Sequence, residues 1–372
     1  WNVCLSIMAT QASAVTFLST PGQAFEDGMR FLQFYFGLPL AMIILSLTAV
    51  PLFSRLKVYT AYEYLENRFD LKVRTLGALL FLLLRGLSVG ITVYAPSLIL
   101  STILGWNISW TTVLIGTMVM LYTVSGGTRA VSLTQKYQLT IIMAGMLIAG
   151  GIAFMGLPEN MTFSDTFRLA GEMGKLNLIS TEFNLSDRYN IWSGLIGGLF
   201  LFLAYFGTDQ SQVGRYLGGK DTTESKLGLI FNGLLKIPMQ FIILYIGIMV
   251  FLFYQFNPAP VFHNQSLFNL AKSTAVAQRL DSLQSANAIV QSAKQSAAGE
   301  MMKAIREENN SLDAARQEWR TQADQERTIR QKTQQVIATG IPGARTLDKD
   351  YVFINFVMTR LPHGLIGLLL AV

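Results

Sequence analysis

Long apolar runs alternate with short polar connections along most of the chain. The runs cover residues 2–20, 31–53, 76–104, 110–124, 139–157, 191–206 and 227–256, and an eighth begins near residue 361. A helix of about 20 predominantly apolar residues spans the hydrocarbon core of a bilayer. The pattern therefore predicts an all-α polytopic membrane protein. We expect a transmembrane core of about seven helices in residues 1–256, and a loop end with the start of an eighth helix in residues 351–372.

The first run is interrupted by small and polar residues, unlike an ordinary membrane helix. Its stretch IMATQASAVTFLSTPG, residues 7–22, contains threonines, serines and a glutamine, and Pro21-Gly22 closes it. Inside a membrane every backbone polar group needs a partner within the protein or a water-filled cavity. Interrupted helices of this kind form ion and substrate sites in transporters. We therefore interpret this stretch as one half of a transport site.

Composition and charge support a membrane location. The chain is 51% hydrophobic and 14% charged, whereas a soluble domain has about 25% charged residues. The net charge of +6 comes from basic residues scattered through loops, which predicts contact with membrane lipid and no nucleic-acid partner. Lys and Arg concentrate in loops 51–74, 125–138 and 213–226, so these loops are expected in the cytoplasm of a plasma or inner membrane. The first helix then starts at the cytoplasmic side. The single cysteine, Cys4, permits no disulfide within the chain.

Residues 257–350 differ in composition from the rest of the chain. They are rich in Gln, Ala, Ser and charged residues, and AAGEMMKAIREENNSLDAARQEW, residues 297–319, has the thin apolar stripe of a polar helix. This pattern predicts an extracellular or periplasmic helical hairpin of coiled-coil type. Two interpretations stay open: a solvated decoration on the loop, or a docking element for an extracellular or periplasmic protein.

Several motifs, in order along the chain, resemble the sodium/solute symporter family. They are IMATQASAVTFLSTPGQAFEDG (7–28), LKVYTAYEYLENRF (56–69), VYAPSLIL (93–100), YTVSGGTRAVSLTQKYQ (122–138), FGTDQSQVGRYL (206–217) and LPHGLIGLLLA (361–371). VYAPSLIL is most similar to the iodide, multivitamin and monocarboxylate branch. The resemblance implies a LeuT-type fold of two inverted repeats, the first complete and the second partial. The polar interruption AYFGTDQSQ, residues 204–212, lies where such a second repeat would have its own broken first helix.

The resemblance also implies site residues. It places Na⁺ at the backbone carbonyls of Ala9 and Ala12, with the remaining ligands expected beyond Val372. Carbonyl oxygens suit a hard cation, although small residues at these positions also permit close helix contact. It directs the following residues toward the solute: Gln11, Val15, Thr16, Tyr35, Tyr205 and Phe206.

Particular roles follow for some of these positions. Tyr205 corresponds to an inner gate, while lipid- or helix-facing packing is the alternative for Tyr35 and Phe206. The family usually has an acid where this chain has Gln135, so Gln135 marks a possible ion path without the usual charge.

Arg85 is a basic residue deep within the third run. A charge at this depth is costly and usually faces a cavity or a partner. Arg85 therefore either attracts an anionic solute, or snorkels, or pairs with an acid near a helix end such as Glu26, Asp27 or Asp209.

The predicted function is secondary-active, sodium-coupled import of a small polar or anionic organic solute by alternating access. The alternatives are a transporter-like solute sensor or assembly module, and a proton-coupled or uncoupled carrier. No enzyme is expected, because His263 and His363 lack metal spacing and the chain contains no phosphate loop. Since the sequence starts and stops inside apolar runs, we expect it to be part of a longer protein.

Overall fold

The computed structural model describes residues 2–11, 14–58, 60–184, 187–307 and 311–371, and in these ranges all regular structure is helical. The α-helices in chain order are α1 Asn2–Gln11, α2 Ala14–Asp27, α3 Gly37–Leu47, α4 Ala49–Leu56, α5 Ala61–Arg68, α6 Leu71–Leu104, α7 Ile108–Met155, α8 Phe163–Glu172, α9 Gly198–Thr208, α10 Gln210–Leu217, α11 Thr222–Phe256, α12 Gln265–Lys272, α13 Ala277–Glu307, α14 Leu312–Gly340, α15 Val352–Arg360 and α16 His363–Ala371. A 3₁₀ segment Gly28–Phe36 precedes α3, a π-helical turn Ser193–Gly197 precedes α9, and a 3₁₀ turn Lys349–Tyr351 precedes α15.

Five helical stretches of the described chain are long and apolar enough to cross a membrane. They are Ser19–Leu56, Leu71–Tyr94, Ile108–Gly127, Leu133–Met155 and Thr222–Phe256, and Ser193–Thr208 is a shorter apolar helix. The fourth and fifth apolar runs join in α7 across a kink at Gly127, where φ is 61° and ψ is −170°. This conformation is essentially restricted to glycine, which explains the break at the Gly-Gly pair.

The prediction that Pro21-Gly22 ends the first helical run was wrong. Helix α2 continues through Pro21 to Asp27. A Cβ added to Gly247 would lie 2.3 Å from the Pro21 carbonyl oxygen. A Cβ added to Gly22 would lie 2.0 Å from the carbonyl oxygen of Lys349. Tertiary contacts therefore hold a helix-breaking pair inside a helix, which the local sequence could not reveal.

The chain forms two compact units. The first comprises residues 1–17, 31–143 and 179–241, and the second comprises residues 18–30, 144–178 and 242–372. In the first unit α1, α3, α9, α10 and α11 surround one core. Fully buried members of this core include Ile7, Leu38, Met42, Phe206 and Tyr216.

The second unit contains the hairpin of α13 and α14. Its two helices are joined by an ion pair between Lys294 and Glu326, both of which are buried, and Glu326 also accepts a hydrogen bond from Arg330 at 3.0 Å. Burial alone would raise the pKa of Glu326, but Arg330 and Lys294 outweigh it and lower the pKa to about 2. An acid flanked by two cations therefore stays ionised inside the hairpin.

The hairpin is also fastened to the rest of the second unit. Arg306 of α13 donates to the Asp165 carboxylate of α8 at 2.7 Å, and Arg316 of α14 pairs with Glu172 of the same helix. Trp319 donates to the Gln255 amide oxygen, at the end of α11, at 3.0 Å. Helix α8 lies between the fifth and sixth apolar runs, and it serves as the hairpin's anchor.

Candidate transport site

The predicted ion site begins in the last turn of α1. Ala9 is buried there, and the Thr10 hydroxyl donates to the Ser6 carbonyl at 2.7 Å. The same hydroxyl lies 3.4 Å from the Gln135 amide oxygen of α7. The structure thus places Gln135, the predicted ion-path residue, directly beside the first helix.

The other predicted positions in the first apolar run are Gln11, Ala12, Val15 and Thr16. Ala12 lies outside the described residues, and of Val15 only its helical backbone in α2 is described. Thr16 is half-buried. Within the part of the chain that the structure describes, the buried Gln11 amide oxygen has no hydrogen-bond partner.

Tyr35 lies in the 3₁₀ segment that packs against α9. Its ring meets the Phe202 ring at a centroid distance of 5.9 Å and contacts Phe31 edge-on at 5.7 Å. The close packing requires glycine at two positions beside the segment. A Cβ added to Gly194 would lie 2.1 Å from a backbone oxygen of the segment, and one added to Gly198 would lie 2.6 Å from another. Small residues of this kind let helices approach closely in membranes, so Tyr35 is held in a rigid aromatic cluster.

Three polar residues form a buried stripe on α11, which lies next to Tyr35. Asn232, Lys236 and Gln240 are spaced four residues apart, so they share one face of the helix, and each is at most 1% exposed. The Lys236 ammonium lies 5.9 Å from the centroid of the Tyr35 ring. Among the described residues this ammonium has no hydrogen-bond partner, and neither polar atom of the Gln240 side chain has one.

The stripe was missed in the sequence analysis, which singled out Arg85 as the basic residue deep in a membrane run. Lys236 lies equally deep in the seventh run. The signal was present in the sequence, because three polar residues at a spacing of four within an apolar helix define one face. A buried, unpartnered cation needs a counter-charge or a loss of its proton, so this face is a candidate anion site.

Tyr205 and Phe206 lie near the end of α9. Phe206 is fully buried in the core of the first unit. The Tyr205 hydroxyl accepts a hydrogen bond from the buried Gln212 amide of α10 at 2.8 Å. Tyr205 is therefore fixed at its polar tip by α10.

The sixth apolar run is broken at Asp209, between α9 and α10. Asp209 has an extended backbone (φ −74°, ψ 113°), and its carboxylate caps α10 by accepting from the Ser211 N–H at 2.8 Å. The Arg85 guanidinium lies 3.7 Å from the same carboxylate. The polar interruption predicted at residues 204–212 is thus a helix break, and Arg85 pairs with the acid at that break.

The protein is a polytopic, all-helical membrane protein with broken helices. A substrate-bound outward-open Na⁺-coupled sialic acid symporter has the same fold, with a TM-score of 0.64 and 23% identity over 96% of this chain and 70% of that chain. The predicted LeuT-type, all-α membrane fold is confirmed.

The sequence comparisons identify the family. The model for the Sodium:solute symporter family matches residues 1–283. The human sodium/iodide cotransporter is 34% identical over 257 residues, which cover 68% of this chain and 39% of that protein. The mouse sodium-coupled monocarboxylate transporter 1 is 34% identical over 62% of this chain and 37% of its own length. The rabbit sodium-dependent multivitamin transporter is 28% identical over 71% and 41%.

The chain belongs to the sodium:solute symporter family, as its motifs predicted. It spans about two fifths of the length of the curated relatives it matches.

Proposed function

We propose that the protein is a sodium-coupled symporter that imports a small organic anion by alternating access. The observation that carries the anion assignment is the Lys236 ammonium, which is buried beside Tyr35 and has no partner among the described residues. A solute carboxylate or a comparable anion would supply the missing charge. Asn232 and Gln240, one turn away on either side, provide amide groups for its other polar atoms.

The relatives are consistent with an anionic solute. The names of two of them specify iodide and monocarboxylates as the transported solutes, and both are anions. The aromatic cluster around Tyr35 would enclose the apolar part of a small organic acid. Tyr205 would form the inner side of the same compartment, as the family resemblance implies.

Sodium is proposed as the coupling ion at the first helix. The carbonyls of Ala9 and Ala12 would contribute oxygen ligands, which a hard cation prefers. Gln135 and Thr10 lie in contact beside Ala9 and supply neutral oxygens where an acid is usual in the family. Sodium binding would then rest on neutral oxygens and not on a carboxylate at this point.

The ion coupling is tested by initial uptake rates of the full-length protein in proteoliposomes. The probes are radiolabelled short-chain monocarboxylates and iodide, each assayed in sodium medium and in choline medium. We expect uptake of an anion in sodium and almost none in choline. Equal rates in the two media would exclude sodium coupling and support an uncoupled or proton-coupled carrier.

The anion site is tested with Lys236→Gln and Lys236→Arg. Removing the charge should weaken anion binding by about tenfold or more, because hydrogen bonds to charged groups contribute about 1.5–3 kcal/mol. Lys236→Arg keeps the charge and should retain part of the affinity. Lys226→Gln, ten residues earlier on α11, removes the same charge outside the stripe and serves as the control. An unchanged KM in Lys236→Gln would refute the assignment.

The membrane and the orientation belong to the same proposal. From the distribution of Lys and Arg among the loops we propose that loops 51–74 and 213–226 lie in the cytoplasm of a cell with this protein in its plasma or inner membrane, and that the hairpin of α13 and α14 lies outside. Whether the hairpin docks an extracellular or periplasmic protein stays a prediction.

A further inference from the structure

Arg85 lies among exposed leucines on α6. Leu82, Leu84 and Leu87 are all more than 60% exposed, in a stretch that is long and apolar enough to span a membrane. A guanidinium on such a helix costs several kcal/mol unless it finds a partner. The partner it finds is Asp209, at the break that follows α9.

Helices α5 and α6 contact three consecutive residues at the break after α9. The Tyr62 hydroxyl donates to the Thr208 carbonyl at 2.9 Å, and the Ala61 N–H donates to the Gln210 amide oxygen at 3.0 Å. Arg85 supplies the tether between them, at Asp209. Residues 208–210 are thus fixed by two helices that precede them in the chain by more than 100 positions.

The middle tether differs from the other two because its acid also caps α10. Asp209 accepts from the Ser211 N–H and so sets the start of α10, while Gln212 of α10 donates to Tyr205 of α9. Arg85 therefore contacts, through Asp209, the residue that joins the two arms of the broken helix. Movement of α10 away from α9 would separate these groups.

We propose that Arg85 is a positioning residue that latches the break between α9 and α10 through Asp209, and that the latch must open for the solute to leave on the α10 side. The role of the latch in transport rests on the proposed symport function. Hinges of this kind are a few element-terminal residues whose release often limits turnover. Arg85 acts on the rate of the conformational change and not on solute affinity.

The first test separates affinity from turnover in the full-length protein. The variants are Arg85→Gln, Asp209→Asn, the double variant and the charge swap R85D/D209R. We expect each single variant to change the maximal uptake rate by roughly fivefold, the size of an ion pair of about 1 kcal/mol, with the solute dissociation constant unchanged. The double variant should resemble the single ones, and the charge swap should restore part of the wild-type rate. Lys72→Gln, at the exposed start of α6, removes one positive charge from the same helix and should leave the rate unchanged.

The second test reports the latch without transport. Val213 of α10 is fully buried, so a cysteine there, in a Cys4→Ala background, should react slowly with a maleimide in detergent micelles. Opening the latch should raise the labelling rate roughly fivefold in Arg85→Gln and Asp209→Asn, and the charge swap should reverse this. Asp209→Asn keeps the test available if Arg85→Gln fails to fold.

Two results would overturn the proposal. If labelling and uptake are unchanged in both single variants, Arg85 only snorkels. If Arg85→Gln weakens solute binding with unchanged labelling, Arg85 contacts the solute directly. Absence of sodium-dependent uptake in the wild type would refute the proposed function, while the labelling result would still decide the latch.

Discussion

His263, which lacks the spacing of a metal ligand in the sequence, is a buried residue of the second unit. It is 2% exposed, and neither ring nitrogen has a hydrogen-bond partner within the described ranges. The rings of Phe25 and Tyr254 contact it at centroid distances of 5.8 and 5.7 Å. Burial, together with the nearby Arg330, lowers its pKa well below 6.5. The imidazole is therefore neutral in the folded protein.

Acidification should destabilise the second unit through this residue. The unfolded chain takes up a proton on His263 as the pH falls below 6.5, while the folded protein does not, so stability is lost from there downward. Glu326 contributes only below its usual value of 4.5, because its folded pKa is about 2. We expect the thermal midpoint of the full-length protein to fall between neutral pH and about pH 5.

The matched variants are His263→Phe and His363→Phe. Phenylalanine at position 263 keeps an aromatic ring against Phe25 and removes the proton site, so it should flatten the pH dependence of the thermal midpoint. His363 is exposed at the start of α16, and its replacement should leave the dependence in place. A pH dependence that survives in His263→Phe would assign it to another group.

The packing of helix α9 against the 3₁₀ segment Gly28–Phe36 depends on close contact between their backbones, and this contact sets the position of Tyr35. Gly197 and Gly198 are adjacent, yet only Gly198 faces the segment: a Cβ there would lie 2.6 Å from the Phe34 oxygen, whereas a Cβ on Gly197 meets nothing within 4 Å. Two neighbouring glycines therefore have different structural roles.

Gly198→Ala should destabilise the protein, and Gly197→Ala should not. The methyl group at position 198 would push α9 away from Tyr35, and overpacking of this kind costs about 1–3 kcal/mol. It should also weaken solute binding, because Tyr35 would shift relative to Lys236. Alanine at position 197 faces open space and has the higher helix propensity. Thermal midpoints and solute dissociation constants of the two full-length variants provide the measurement; equal behaviour would show that the crossing relaxes at little cost.

The hairpin of α13 and α14 is packed against α8 and the end of α11 within the second unit, and is not a loosely attached decoration. Its ends lie side by side, because a Cβ at Gly340 would be 2.6 Å from the Val276 side chain. Residues 277–340 could therefore be removed and replaced by a short glycine linker.

Deletion of the hairpin should lower the stability of the second unit. Asp165 and Gln255 are buried beneath Arg306 and Trp319, and both would lose a hydrogen-bond partner. We expect a lower thermal midpoint and faster proteolysis within residues 158–178. R306Q/R316Q, which keeps the hairpin but removes its links to α8, should reproduce part of the loss. Unchanged stability with unchanged uptake would show that the hairpin neither braces the unit nor docks a partner that uptake requires.

Much of the architecture could be predicted because it depends on local pattern. Apolar runs, the glycine break at position 127 and the polar interruption around Asp209 are visible in short windows of sequence. Helix α8 was not predicted, because a ten-residue amphipathic helix in a polar loop is stabilised by its capping box and by contact with the hairpin.

The candidate site was predicted less completely, because its contacts join distant positions. Thr10 and Gln135 are 125 residues apart, and no window that contains one of them contains the other. Arg85 had several possible acids, and only packing selected Asp209. Lys236 could have been found from its spacing with Asn232 and Gln240, but its lack of a partner could not.

The family, the membrane-spanning character and the helical nature of the insert could be predicted, because composition, periodicity and ordered motifs are properties of the chain. The continuation of α2 through Pro21, the pairing of Arg85 with the helix break and the buried lysine beside Tyr35 became visible only in the folded protein. These features depend on which backbones approach closely and which charges are left without partners, and both are set by packing between segments far apart in the chain.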